Sequence, residues 1–371
     1  GLQRVSRPGV PRTLPATMVP LPASSAKASL ALAALAVQGP FASAGSVRGA
    51  AGWAGSGLCG IATNMLDYNN RGMTTFCDAG LDFWWNWAHA PRNIYSANCS
   101  WQTFVPMIWG YAPDNARIAQ SGAARLMGYN EPDLYAPPVV PGGDYLASGT
   151  FPDTFHCGSP RLAVNWQELV MSFKRTNPDG IVVSPAMADP EGPASAGSFA
   201  GCNESPQTRE NHMAWCAGWL KCFKESVIKL RCGETNCWDV IDVLQFHAYV
   251  YTAEDLIAKV RLWETNWAAE LKGESGMKRK SLWLTEFARA GTTNSSDPDG
   301  LGRDFIERSV RYLKSSPYVS GWSWFSQDTT TFASFTIGNR QPASAFWASD
   351  LIDGQGSLTV LGKKYVSACR A

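Results

Sequence analysis

Two glutamates at the ends of short apolar segments are the residues of this chain best placed to do chemistry. The first is Glu131, which follows the segment Leu126–Asn130 and precedes Pro132. A short apolar run is typical of a buried parallel strand, and a proline without a backbone N–H ends the hydrogen-bonded ladder. The second is Glu286, which lies in the segment Ser281–Ala288 after a similar apolar run. We therefore predict two strands that each carry an acid at the C-terminal end.

A pair of carboxylates facing one cleft is the requirement for glycoside hydrolysis. One group protonates the leaving oxygen and the other acts at the anomeric carbon, and in retaining enzymes they lie about 5–5.5 Å apart. Residues at the C-terminal ends of barrel strands face a common cleft, so the two glutamates can meet there. The alternative is that each is an exposed turn residue, as most glutamates are, although a matched pair argues against it.

Further polar and aromatic side chains stand at other predicted strand ends. His247 and Tyr249 are expected to orient Glu286 or to contact a bound sugar, with a purely structural histidine as the alternative. Asn86 is expected to support the site. Tryptophans at the ends of three strands are expected to stack on sugar rings, namely Trp87, Trp109 and Trp324. Other tryptophans are expected to pack in the barrel wall, namely Trp84, Trp85, Trp283 and Trp322.

The elements that would position these residues are short strands separated by helix-length segments. Helices are predicted at 162–175, 212–224, 253–271 and 303–314 from apolar residues at helical spacing. Strands are predicted at 71–76, 81–87, 104–109, 126–133, 181–186, 243–249, 281–288 and 319–325. Alternating strands and helices predict a single α/β domain over residues 45–371, a (β/α)8 TIM barrel. Because the first strand is weak, a doubly wound open sheet is the alternative.

The composition and the front of the chain bear on partners and location. The 371 residues carry a net charge of +1, so there is no basic excess for nucleic acid or an anionic membrane. We expect a monomer that binds a polysaccharide. Residues 1–17 are expected to be an unstructured or non-mature leader, and residues 18–44 a secretory signal peptide, with a disordered alanine-rich leader as the alternative. The apolar run in it is too short for a membrane span.

The cysteines favour export. Ten cysteines, together with possible glycosylation sites at Asn98, Asn203 and Asn294, predict a secreted, disulfide-bonded, extracellular or cell-wall protein. A zinc site formed by His212 and four cysteines is the less favoured alternative: Cys216, Cys222, Cys232 and Cys237. We expect the cysteine-rich excursion 189–238 and the loop 292–299 to flank the catalytic face, which leaves endo or exo action open. The segments 189–211 and 235–239 are expected to be loops on the same face.

The ordered motifs resemble the clan A glycoside hydrolases, and more closely glycoside hydrolase family 128, the glycosyl-hydrolase catalytic-core family of endo-β-1,3-glucanases. The resemblance covers about residues 60–368 and rests on the motifs Arg71-Gly72, Trp85–Trp87, Phe104–Gly110, Gly128–Asp133, Val183–Ala186, His247–Tyr249, Trp283–Phe287 and Asp353–Gly362. It implies a retaining endo-β-1,3-glucanase with Glu131 as general acid/base and Glu286 as nucleophile. It also implies that Asn130 binds the sugar 2-hydroxyl, unless it is only a turn residue. No metal and no organic cofactor is implied.

Three other functions were weighed from the residues. The segment Gly55–Gly60 matches the glycine pattern of dinucleotide sites, but it does not follow a predicted strand. A non-catalytic glucan-binding protein would keep the tryptophans without needing both glutamates. A clan A enzyme acting on another β-glycan, such as a mannanase or a glucan transglycosylase, would carry the same pair of carboxylates, because specificity is set by loops and aromatic side chains.

Overall fold

The computed structural model describes residues 57–62, 75–76, 78–90, 103–108, 122–132, 157–188, 219–289, 297, 299–325, 350–353 and 355–371. Within these residues, a parallel sheet of seven strands lies at the centre of the fold: Leu58–Ala62 (β1), Phe83–Trp85 (β2), Arg125–Met127 (β3), Ile181–Met187 (β4), Val243–Val250 (β7), Ser281–Arg289 (β8) and Val319–Phe325 (β9). The strands lie in the order β2-β1-β9-β8-β7-β4-β3. A separate antiparallel hairpin pairs Arg231–Cys232 (β5) with Thr235–Asn236 (β6).

The segment 103–108 makes isolated parallel bridges to both edge strands of this sheet. Phe104 pairs with Trp84 in β2, and Met107 pairs with Met127 in β3. Backbone hydrogen bonds of 2.9 Å support each contact, from Val105 N to Trp84 O and from Met127 N to Pro106 O. The described structure is therefore an α/β fold with a curled parallel sheet whose two edges contact one segment.

Helices connect the strands, as parallel pairing requires. Their starts follow ordinary capping rules: Ser159 accepts a hydrogen bond from Leu162 N, and Thr252 and Asp255 form a capping box. The helices are Pro160–Thr176 (α1), Ala253–Asn266 (α2), Ala268–Lys272 (α3), Leu301–Ser315 (α4) and Val360–Arg370 (α5), and residues 219–227 are also helical. The predicted helices 162–175 and 303–314 are confirmed, the predicted helix 253–271 is interrupted at Trp267, and the predicted helix 212–224 is helical over its described residues 219–224. The helix α5 was not predicted.

The core has two layers that follow from side-chain alternation along each strand. The inner layer, enclosed by the strands, contains Phe83, Trp85, Met127, Val183, Val243 and Trp283. The outer layer lies between sheet and helices and contains residues such as Leu126, Leu244, Leu284, Trp322 and Trp324. The four tryptophans expected to pack in the wall are all buried: Trp84, Trp85, Trp283 and Trp322.

The first strand differs from the prediction. The first strand of the sheet is Leu58–Ala62, whereas the predicted strand 71–76 is wrong at its described end because residues 75 and 76 are helical. The glycine and alanine around β1 hid its apolar pattern, although Cys59 and Ile61 form the buried outward face. Gly60 lies inside this strand against Phe83, so the glycine pattern there serves packing rather than a strand-to-helix turn.

The cysteines of the described part of the chain are all paired in disulfides: Cys59–Cys369, Cys157–Cys222 and Cys232–Cys237. This pairing contradicts the zinc alternative for three of its four cysteines, because a disulfide leaves no thiolate to bind metal. Cys216 and His212 lie outside the described residues, as do the signal segment, the three possible glycosylation sites and the loop 189–211.

The hairpin region does not flank the catalytic face as expected. Lys280, which directly precedes β8, donates hydrogen bonds to the carbonyls of Trp238 and Ile241 at 3.0 and 2.7 Å. Residues 231–242 therefore lie at the N-terminal ends of the strands, since they lead directly into β7. The catalytic face was expected at the C-terminal ends. No helix among the described residues is long and apolar enough to cross a membrane.

Candidate active site

Glu131 sits just beyond β3 in a strained backbone conformation. Its φ of 46° lies in the left-handed region, which is rarely occupied by residues other than glycine. The Glu131 N–H donates to the carbonyl of Ala186 at 2.9 Å, and Asn130 forms an isolated bridge with the same residue. Contact with β4 therefore holds the strained turn that carries the carboxylate.

Glu286 reaches the interior because β8 contains one extra residue. The consecutive residues Phe246 and His247 of β7 pair with Leu284 and Glu286, so Thr285 is an unpaired bulge. Leu284 faces the outer core, and strict alternation would turn Glu286 outward with it. The bulge moves Glu286 to the inner side, opposite His247.

Two donors hold the carboxylate of Glu286. The indole Nε1–H of Trp87 donates to Oε1 at 2.7 Å, and the hydroxyl of Tyr249 donates to Oε2. Trp87, like Glu131, has a left-handed backbone, with φ 54°. The two oxygens of Glu286 are thus bound from β2 on one side and from β7 on the other.

His247 lies between the two glutamates. Its Nδ1 is 2.8 Å from Oε1 of Glu131 and 3.5 Å from Oε2 of Glu286, and its side chain is fully buried. The ligand-type atoms of these three residues all lie within 4.8 Å of one another. The spacing of the carboxylates is short, comparable to the retaining arrangement and below the roughly 6.5–9.5 Å of inverting enzymes.

The electrostatics of the site depend on the balance between burial and hydrogen bonding. Burial raises the pKa of Glu286 to about 7, with a smaller increase from the charge of Glu131. A positive His247 and the hydrogen bonds from Tyr249 and Trp87 lower the pKa of Glu286 and limit the increase. Burial also raises the pKa of Tyr249 well above its ordinary value, so its hydroxyl keeps the proton that it donates.

Two asparagines have buried oxygens that are available to a ligand. The side-chain Oδ1 of Asn130 and that of Asn86 make no hydrogen bond within the described part of the chain. The side chain of Asn86 uses its Nδ2 to donate to the carbonyl of Ala90 at 3.4 Å. A buried acceptor without a partner is costly, so a sugar hydroxyl is a suitable donor for each.

One predicted sugar-binding residue faces the opposite side of the sheet. Trp324 is 1% exposed and packs against Phe287, Phe305 and Tyr365 in the outer core, so the expectation that it stacks on a sugar is corrected. The adjacent Phe325 takes the inward position instead. Trp109 lies outside the described residues.

Phe325 is a site residue that the sequence analysis missed. Its ring contacts Trp87 and Tyr249 with centroids 5.7 and 5.4 Å apart, so it packs against both donors to Glu286. The segment Trp322–Phe325 has aromatic residues on both faces, and alternation alone cannot say which face points inward. The burial of Trp324 among helix residues decides the question.

Glu131, His247 and Glu286 are also the group in the described structure that could hold a metal ion. Nδ1 of His247 is hydrogen-bonded to Glu131, and Oε2 of Glu286 accepts a hydrogen bond from Tyr249. The chemistry of these residues therefore fits a pair of acids with a histidine between them.

Comparisons with known proteins identify a family and a fold for this chain. The sequence profile of the family described as "Glycosyl hydrolase catalytic core" matches residues 60–365. No curated protein matches the chain significantly.

Solved structures of similar fold include several glycoside hydrolases of family 128. A subgroup V exo-β-1,3-glucanase from Cryptococcus neoformans is 21% identical, with 84% of this chain and 99% of that chain covered and a TM-score of 0.50. A subgroup II endo-β-1,3-glucanase from Pseudomonas viridiflava is 20% identical, with 84% of this chain and 97% of that chain covered and a TM-score of 0.52. A third structure is a subgroup I endo-β-1,3-glucanase variant from Amycolatopsis mediterranei in complex with laminaripentaose. It is 19% identical, with 85% of this chain and 98% of that chain covered and a TM-score of 0.50. At these identities the similarity establishes the fold.

Proposed function

Because this chain belongs to the glycosyl hydrolase catalytic core family, we propose that it is a secreted retaining glycoside hydrolase that cleaves internal β-1,3-glucosidic bonds of β-glucan. The observation that carries the proposal is the close approach of Glu131 and Glu286, whose nearest oxygens and the Nδ1 of His247 lie within 4.8 Å of one another. That spacing suits direct attack by a carboxylate and leaves little room for an intervening water. The β-1,3-glucanase activities named for the similar structures support the choice of substrate.

In the proposed reaction, Glu286 attacks the anomeric carbon while Glu131 protonates the glycosidic oxygen that leaves. A covalent glycosyl-enzyme forms, and Glu131, now ionised, removes a proton from the water that hydrolyses it. The buried Oδ1 of Asn130 is positioned on the same turn as Glu131 to accept a hydrogen bond from the sugar 2-hydroxyl. Trp87 and Tyr249 hold Glu286 in place for attack.

The division of roles between the two acids follows from their contacts. Glu286 accepts hydrogen bonds from Trp87 and Tyr249. These two hydrogen bonds stabilise the ionised carboxylate and fix the positions of its oxygens. The side chain of Glu131 is more accessible, 16% exposed against 4%, as a group that exchanges protons with leaving group and water must be. Burial nevertheless raises the pKa of Glu286 to about 7 in the presence of these hydrogen bonds, so Glu286 is ionised, as attack requires, at neutral and higher pH.

We also infer that the sheet closes into a (β/α)8 barrel. The segment 103–108 bridges both edge strands and would be the eighth strand of the closed sheet. Three disulfides in the described part of the chain fit secretion, as the signal peptide predicted at 18–44 requires.

The test of function is hydrolysis of linear β-1,3-glucan by wild-type protein beside Glu286→Gln. We expect the wild type to release oligosaccharides of several lengths early in the reaction, as internal cleavage does, and the variant to release none. Release of a single short product would instead assign exo action. Binding without cleavage by the wild type would support a glucan-binding protein, and cleavage of mannan or chain transfer would support the other clan A activities.

A second experiment separates the roles of the two acids. With an activated aryl β-1,3-oligoglucoside, azide should rescue Glu286→Ala with inversion, giving an α-glycosyl azide, because azide takes the place of the missing nucleophile. Azide should rescue Glu131→Ala with retention, giving a β-glycosyl azide, because it attacks the glycosyl-enzyme in place of activated water. The opposite pair of products would reverse the assignment.

A further inference from the structure

The bulge that turns Glu286 into the site is held by a side chain of the neighbouring strand. The register of β8 against β9 shifts between Leu284 and Phe287, so the regular ladder is interrupted on this side as well. The carbonyl of Thr285 accepts a hydrogen bond from the hydroxyl of Ser323 instead. A side-chain hydroxyl of β9 therefore binds the backbone of the bulge at the residue next to Glu286.

The direction of this hydrogen bond is fixed by a third residue. The indole Nε1–H of Trp85 donates to Oγ of Ser323 at 3.0 Å. A serine hydroxyl has a single proton to donate, and a neighbouring N–H can use only its lone pairs. The Ser323 proton is thus directed to the Thr285 carbonyl, and the relay runs from Trp85 through Ser323 to Thr285.

The relay lies in a fully buried part of the inner sheet. Ser323, Thr285 and Trp85 are each 0% exposed. The hydroxyl of Thr285 makes no hydrogen bond within the described part of the chain, whereas its carbonyl is bound by the hydroxyl of Ser323. Removing the hydroxyl of Ser323 would take this hydrogen bond from a buried carbonyl and its partner from the buried indole N–H of Trp85, which favours rearrangement of the bulge.

The same strand that supplies Trp85 also leads to the donor that binds Glu286. The rings of Trp85 and Trp87 are in contact, with centroids 4.6 Å apart, and Trp87 donates to Glu286 at 2.7 Å. The indole of Trp85 therefore contacts both Ser323, which binds the backbone beside Glu286, and Trp87, which donates to the Glu286 carboxylate. A displacement of the bulge would change the fit between Glu286 and its donors.

We propose that Ser323 is a positioning residue for the proposed reaction, which fixes the Thr285 bulge and thereby aims Glu286 at the anomeric carbon. The inference rests on the proposed role of Glu286. Ser323 contacts no substrate, and its effect is transmitted through the backbone of Thr285.

The experiment compares Ser323→Ala with a matched serine on the same strand. Ser320 is 2% exposed and accepts a hydrogen bond from Trp283 Nε1 at 3.0 Å, so Ser320→Ala also removes a buried serine–indole contact, but away from the bulge. With laminari-oligosaccharides, we expect Ser323→Ala to lower kcat about 10- to 100-fold with little change in KM, and to move the acid limb of the pH profile to higher pH. Ser320→Ala should change kcat less than about threefold.

Equal kinetic parameters and pH profiles for the two alanine variants would overturn the proposal. Should Ser323→Ala not fold, Trp85→Phe removes the N–H that orients Ser323 and makes the ring smaller, and Trp283→Phe is the control that makes the same change beside Ser320. The same kcat loss and pH shift are expected for Trp85→Phe but not for its control, and an unchanged profile would overturn the proposal. Failure of the proposed function is distinguishable, because the wild type would then not cleave the glucan or Glu286→Gln would remain active.

Discussion

At the scale of single residues, opposing effects set the pKa of the buried carboxylate of Glu286. Burial favours its protonated form, whereas a positive His247 and the donors Trp87 and Tyr249 favour the ionised form. Together these effects raise the pKa of Glu286 to about 7. The ionised form needed for attack is therefore present mainly at neutral and alkaline pH.

The first prediction concerns the pH dependence of kcat/KM. Attack requires ionised Glu286, so kcat/KM for laminari-oligosaccharides should fall about tenfold per pH unit below an acid limb near pH 7. Initial rates at low substrate concentration between pH 4 and 9 check this. An acid limb near the ordinary glutamate pKa of 4.5 would contradict the assignment.

The same pKa predicts the stability of Glu286→Gln. Between the ordinary glutamate pKa of 4.5 and about 7 the native protein holds a proton that the unfolded chain releases, so the free energy of unfolding falls as pH rises through this range. Glutamine does not ionise, so the variant should exceed the wild type in stability by on the order of 3 kcal/mol at pH 8, and by less at pH 5. Urea denaturation at both pH values measures it, with the exposed Glu225→Gln as control. A variant without this pH-dependent gain would argue against a proton on Glu286.

The hydrogen bond from Trp87 can be tested with a neighbouring tryptophan as control. Trp87→Phe keeps an aromatic ring but removes the N–H bound to Glu286, so we expect kcat to fall about 10- to 100-fold and the acid limb to move to higher pH. Trp84→Phe removes an indole N–H that has no hydrogen-bond partner within the described residues and should leave both quantities nearly unchanged. Similar kinetics for the two variants would mean that the Trp87 contact does not serve Glu286.

At the scale of the elements, the site depends on irregular strand ends. Trp87 and Glu131 both have positive φ values just beyond the ends of their strands, and Thr285 forms a bulge within β8. Regular strands would place fewer of these side chains at one point, because alternation sends half of them to the helices. The irregularities therefore gather the acids and donors on one side of the sheet.

Gly128 allows the turn that carries Glu131 to lie close to β4. A Cβ at this position would be 2.7 Å from the backbone nitrogen of Pro185 and 2.8 Å from the carbonyl of Ser184. Because backbone atoms cannot move aside cheaply, Gly128→Ala should lower the free energy of unfolding by about 3 kcal/mol and also reduce kcat. Chemical denaturation and initial rates measure these effects.

The control for this substitution is Gly122→Ala. Gly122 has φ +64° and nothing within 4 Å of a built Cβ, so alanine there should cost about 1–2 kcal/mol from backbone strain alone and leave kcat unchanged. If Gly128→Ala is no less stable than Gly122→Ala, the close approach to β4 is not a constraint.

At the scale of the whole molecule, the last helix is fastened to the first strand of the sheet. Cys369 of α5 forms a disulfide with Cys59 of β1, and the hydroxyl of Tyr365 donates to the carbonyl of Gly60 at 2.7 Å. The disulfide spans 310 residues, so it closes a loop that includes nearly all of the sheet. Its chief contribution should be to restrict the unfolded chain.

Two disulfides of very different loop length provide a matched comparison. The sequence separation is 310 residues for Cys59–Cys369 and 5 for Cys232–Cys237. Loop-closure entropy predicts losses of about 5 and about 2 kcal/mol when each pair is replaced by alanine. Denaturant unfolding of both double variants tests this, and equal losses would show that contacts in the native state outweigh chain entropy.

The sequence alone predicted the glutamate pair, most strand positions and the helices α1 to α4, because these depend on local patterns, but it did not predict α5. Apolar runs ending at Glu131 and Glu286 and apolar residues at helical spacing are visible without any tertiary contact. The strand β1 was not predicted because its glycine and alanine carry little apolar signal. The hairpin at 231–236 was expected at the C-terminal ends of the strands, whereas it lies at their N-terminal ends.

Only the tertiary structure decided which side chains face the site. Strand periodicity would send Glu286 outward with Leu284, and one unpaired residue, Thr285, reverses this. The same ambiguity placed Trp324 in the site by sequence, whereas packing against α4 and α5 puts it outside and Phe325 inside. A bulge shifts the face of every residue after it by one position, and it is stabilised by contacts between distant strands, such as Ser323 with Thr285. Such contacts exist only once the sheet has formed, so no local pattern records them.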